Sequence, residues 1–150
     1  MSETSLKIAL RQGGGRFPGY KFGVLYFDVA RKEATKFLDE AQYAHVVMLF
    51  KGLAGEPDPA HPLTVDVRAI ENYYELRDKG GILGRIALRV YFHIDMTLRQ
   101  VVVLGADKKE QEDQTSSAIK IKMRIRQRRY QNLGHTSVAK IARKPKGLGT

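Results

Sequence analysis

The chain has 150 residues, 43% of them hydrophobic, and its 26 Lys/Arg against 16 Asp/Glu give a net charge of +10. That length suits one ordinary domain, and no run approaches the roughly 18 apolar residues that a membrane span needs. There is no cysteine, which excludes disulfides, thiolate nucleophiles and Cys-ligated zinc and leaves any chemistry to Lys, Arg, His, Tyr and carboxylates.

Residues 1–19 contain Gly13, Gly14, Gly15, Pro18 and Gly19 and are expected to form a flexible lead. The opening stretch has no long apolar core of a secretory signal, so a cytoplasmic location is expected. Gly14 and Gly19 have the spacing of a phosphate loop, but Tyr20 stands where that loop needs lysine, and the motif is set aside. Residues 20–29, YKFGVLYFDV, are rich in aromatic and β-branched types and predict a first strand. Over 30–54, Ala30, Ala34, Phe37, Leu38, Ala41, Ala44, Val47, Met48 and Leu49 recur at spacings of three and four, which predicts one long helix or, in preference, a helical hairpin with its break near 40–43.

The run GEPDPAHP at 55–62 holds three prolines and marks a loop. A brief strand is possible over 63–67. Strands are then expected at 73–77, 85–94 and 100–104, joined by the glycine-bearing turn at 78–84 and a turn at 95–97, which together make an antiparallel meander. The segment IKIKMRIR at 119–126 alternates like a strand, yet Thr115, Ser116 and Ser117 offer helix caps and most residues after them favour helix. A helix over 115–131 is expected, with Ala118, Ile121 and Ile125 in line on its wheel and Lys122, Arg126 and Arg129 intruding on that arc. A basic tail is expected over 134–150.

The charge is concentrated. Residues 1–107 hold 14 Lys/Arg against 13 Asp/Glu, whereas 108–150 hold 12 against 3, so +9 of the net +10 lies in the last third. Such a block attracts polyanions and gives salt-sensitive binding, so nucleic acid or the ribosome is the first partner to consider.

The order of ELR at 75–77, RVYFHI at 89–94, VVVLGADKK at 101–109 and the closing basic helix resembles the RelE/ParE superfamily of bacterial toxins, nearest its HigB-like and phage-encoded branch. The resemblance covers about 20–130 and implies a domain over 20–133. Its fold would be α+β, a small twisted antiparallel sheet with an N-terminal helical hairpin and a C-terminal basic helix. It implies a type II toxin that cleaves messenger RNA on the ribosome by metal-free attack of the neighbouring 2′-OH, with a cognate antitoxin as partner. The alternatives are a ParE-like inhibitor of DNA gyrase and a catalytically inactive nucleic-acid-binding protein of the same fold.

For such cleavage the protein must position the backbone, neutralise the phosphorane-like transition state and move two protons. Arg89 matches the family's active-face arginine, and strand alternation puts Tyr91 and His93 on its side. With Lys109 they form the candidate catalytic set. Arg77 and Lys108 fall at the family's other basic positions, and Lys79, Arg85, Lys122 and Arg126 extend the phosphate-binding set. Each has a plainer reading: Arg89 as a strand cation paired with Glu75 across the sheet, Tyr91 as a packed strand aromatic, His93 as an ordinary side chain. Where some relatives carry extra lysines and a helix tyrosine, this chain has Tyr73, Glu75, Gln111 and Thr115. His45, His61 and His135 show no metal-ligand spacing, so neither a metal nor another cofactor is expected, nor a membrane partner.

Overall fold

The computed structural model describes residues 6–8, 20–109 and 115–134. Among these residues six strands form one sheet: β1 (Leu6–Ile8), β2 (Gly23–Phe27), β3 (Asp66–Ala69), β4 (Tyr74–Asp78), β5 (Leu88–Asp95) and β6 (Gln100–Lys108), in the order β1-β2-β6-β5-β4-β3. Three helices, α1 (Asp28–Thr35), α2 (Glu40–Ala54) and α3 (Ser117–Arg129), complete an α+β fold. The meander β4-β5-β6 is antiparallel as its alternating sequence requires, but the sheet as a whole is mixed, because β2 runs parallel to β6. The expectation of an all-antiparallel sheet fails there. After β2 the chain crosses one face as α1 and α2 and builds the sheet back from β3, so β6 arrives beside β2 pointing the same way.

Leu6–Ile8, within the lead expected to be flexible, pairs antiparallel with β2 as an edge strand. The rest of that lead and, beyond Gly134, the expected basic tail lie outside the described residues.

The hairpin break falls at 36–39, earlier than expected, and its cause is local. Asp39 Oδ1 accepts from the Gln42 amide at 2.8 Å while Gln42 Oε1 accepts from the Asp39 amide at 2.9 Å, a reciprocal cap that starts α2 at Glu40. Leu38 turns into the core at the break. His45 on α2 then pairs with Asp78 at 2.7 Å and fastens the helix to the end of β4.

Strand alternation divides the interior into two layers. Leu76, Leu88, Val90 and Phe92 point to α1 and α2, where they meet Phe22, Val24, Val46, Phe50 and Leu53. Tyr73, Tyr91, Val102 and Leu104 point the other way, where Met123 and Tyr130 close over them. A bulge between Tyr91 and Phe92 shifts the β5–β6 register and brings Gly105 opposite Tyr91. A Cβ on Gly105 would sit 2.5 Å from Met123 Cε and 2.8 Å from Arg126 Nη1, so the bare backbone there is what lets α3 lie close. Among the described residues no helix is long and apolar enough to cross a membrane.

Candidate nucleic-acid interface

The ELR and RVYF strands are neighbours, and their register places Arg77 opposite Arg89 and Glu75 opposite Tyr91. On the far side of β5, Arg89 is opposite Asp107 and Leu88 opposite Lys108. One end of the sheet is therefore cationic: Lys79 and Arg85 stand on the β4–β5 connection, Lys108 at the end of β6, and the Lys109 amide donates to the Ala87 carbonyl at 2.9 Å. Lys79, Arg85 and Lys108 are exposed and Lys109 is half-buried. The connection bends through Gly80, Gly81 and Gly84, all at positive φ, where a side chain would be strained.

One step inward the charges turn structural. Glu75 is fully buried and accepts from Arg77 Nε at 2.7 Å, Arg89 Nη1 at 3.1 Å and the Thr115 hydroxyl at 3.1 Å. Buried ions persist only when paired, and one carboxylate here holds two guanidiniums. The Arg77 side chain keeps 20% exposure and Arg89 only 8%. Arg77 thus keeps some access to solvent, and Arg89 is the inner member. The Arg89–Glu75 pair that the sequence offered as the plainer reading is present.

Arg89, Tyr91 and His93 do share a face, but that face lies under α3. Arg89 and His93 are four strand residues apart, roughly 13 Å, which is too far for one reacting phosphate. Tyr91 is fully buried, and its hydroxyl has no hydrogen-bond partner among the described residues. Burial, with the Glu75 and Asp107 charges adding to it, pushes its phenol well above the ordinary tyrosine range, so it stays protonated. Tyr73, edge-on to Tyr91 with centroids 6.4 Å apart, also has an unpartnered hydroxyl, and burial pushes it up to about 12. His93 Nδ1 accepts from Gln127 Nε2 at 3.0 Å, and its ring lies 5.4 Å from that of Tyr130. Gln127 Nε2 also donates to the Asn72 carbonyl at 2.8 Å, which fixes the amide's orientation.

The remaining expected phosphate ligands sit on α3. Arg126 is turned inward: its two terminal nitrogens donate to Glu33 at 3.0 and 2.8 Å, and one of them also to the Leu104 carbonyl at 2.9 Å. The Ala106 amide donates to the same Glu33 at 3.1 Å, so one carboxylate ties α1, β6 and α3 together. Lys122 is half-exposed and 3.8 Å from Glu33.

Sequence reasoning missed this underside of α3. Arg126, Gln127 and Tyr130, whose hydroxyl donates to Asp95 at 2.6 Å, are the residues that dock the helix. The available signal was their spacing, a polar face opposite Ile121 and Ile125. No family model, curated protein or solved structure matches this chain.

Proposed function

We propose that the chain is an RNA-acting toxin of the RelE/ParE kind, directed at messenger RNA on the ribosome and held in check by a cognate antitoxin. The observation that carries the reading is the cationic end of the sheet, where a partly exposed Arg77 is held by the buried Glu75 and Lys79, Arg85, Lys108 and Lys109 stand at the same end. A guanidinium held by a buried carboxylate loses less side-chain freedom on meeting a phosphate than one on a mobile arm. Lys108 and Lys109 supply point charges for flanking phosphates. In cleavage, the attacking 2′-OH comes from the RNA itself, and Arg77 with Lys109 would neutralise charge gathering on the phosphorane.

A second reading has its own support. Tyr91 and Arg89 are buried beneath α3, so neither that phenol nor that guanidinium faces solvent. That favours a binding protein without nuclease chemistry, acting on gyrase or on nucleic acid alone. The test is induced expression in a bacterium with growth and primer extension followed together. New 5′ ends inside translated codons, lost in Lys108→Ala/Lys109→Ala, support cleavage. Arrest with intact messages supports the binding reading, and absence of arrest overturns the toxin assignment. Arg89→Ala is the wrong probe, because it removes one of the two guanidiniums that hold the buried Glu75 and so changes stability together with any RNA contact.

A further inference from the structure

The outer face of α3 is organised in a way that RNA binding does not explain. Ala118, Ile121 and Ile125 are in line along about two turns, and both isoleucines are half exposed, at 50% and 49%. The helix buries Met123, Arg126 and Gln127 instead, so its polar residues dock it and its aliphatic stripe faces water. Cations border the stripe on both sides: Arg124 and Arg128 along one edge, Lys122 and Arg129 along the other. Ile125, Arg128, Arg129 and Asn132 line a shallow open groove at its C-terminal end. Arg124 pairs with Glu71 at 3.0 Å, while Arg128 and Arg129 have no ion pair among the described residues.

We infer that this face docks an acidic amphipathic helix of a protein partner, one whose apolar stripe is flanked by Asp and Glu. The charge pattern selects that occupant. Ser117–Arg129 contains six Lys/Arg and no Asp or Glu, so a second copy laid on the same face would set cation against cation. A nucleic acid would satisfy the flanking cations but leave both isoleucines against a phosphate backbone. Two isoleucines and an alanine form too narrow an apolar face to hold a helix in a bilayer interface. A partner helix with acidic flanks meets both requirements at once, in the helix-on-apolar-groove mode. The site is distinct from the cationic sheet end and does not depend on the RNA reading.

The test uses the full chain and a synthetic helical peptide with a leucine stripe bordered by glutamates, read by fluorescence anisotropy. A scrambled peptide of the same composition should bind at least about tenfold more weakly, because it keeps the charge and loses the stripe. Ile121→Ser/Ile125→Ser should weaken binding of the ordered peptide by about tenfold or more, equivalent to about 1.4 kcal/mol, with an unchanged melt and unchanged RNA affinity. Arg128→Glu/Arg129→Glu provides a second variant that attacks charge rather than packing and should also weaken it. Equal binding of the scrambled peptide, or wild-type affinity in the serine variant, overturns the proposal. So does a dimer that the serine variant dissociates, an RNA affinity that falls with the isoleucines, or binding to phosphatidylserine vesicles in place of the peptide.

Discussion

Glu75→Gln removes the charge that two guanidiniums share without changing the side chain's size. Arg77, one-fifth exposed, can regain water, but Arg89 at 8% exposure under α3 cannot, so a buried guanidinium loses the charge of the Glu75 carboxylate it donates to. Losing one partner of a buried pair costs about 3–5 kcal/mol. For a chain of this size that corresponds to a fall in Tm of about 10–20 °C. The assay is a thermal and urea melt followed by circular dichroism, with Glu71→Gln as the control. Glu71 meets Arg124 at the surface, 3.0 Å away and 34% exposed, where a pair is worth about 0–1 kcal/mol. A Glu75→Gln loss below about 1 kcal/mol, or one equal to the control, would refute the view that this carboxylate anchors the arginines from a dry interior.

Gly105→Ala drives a methyl group against Met123 and Arg126; the methionine can move but Arg126 is held by Glu33, so urea melts should show a loss of about 1–3 kcal/mol and faster hydrogen exchange in α3. Tyr73→Phe removes a buried hydroxyl that has no partner among the described residues and should leave the protein as stable or more stable by about 1 kcal/mol. Tyr73 titrates near 10.0 when unfolded and about 12 when folded, so the folded state keeps its proton longer. Its contribution is therefore complete below pH 10 and lost as pH rises from 10 to 12; alkaline melts should fall less steeply in the Phe variant. Tyr130→Phe breaks the bond to Asp95 and should cost about 1.5–3 kcal/mol by the same melts.

The β4-β5-β6 meander was legible because alternation and turn residues agree over 73–104, and both act between chain neighbours. The parallel pairing of β2 with β6 was not, since strand direction leaves no mark on local periodicity. The 36–39 break depended on a choice between competing cap positions, and the Asp39–Gln42 cap decided it. The orientation of α3 was hidden for a more physical reason. Its apolar stripe suggests the buried side, yet Arg126 goes inward because Glu33, 93 residues away, waits for it together with the Leu104 carbonyl exposed by the bulge. Pairing at that separation cannot be read from a helical wheel. At the candidate site, motif order pointed to Arg77, Lys108 and Lys109, which the fold sets at one end of the sheet with Lys79 and Arg85, whereas the burial of Arg89 and Tyr91 followed from where α3 lies.

Whether the sheet end grips RNA is read most directly from the affinity of the full chain for a single-stranded RNA of about twenty nucleotides as a function of salt, beside Lys79→Ala/Arg85→Ala/Lys108→Ala. If the sheet end grips the backbone, the wild type binds with a steep salt dependence and the triple variant loses about two units of the log–log slope, close to 0.7 for each phosphate contact removed. A variant with the wild-type slope, or a wild type that does not bind RNA, would show that the sheet end is not an RNA-binding surface.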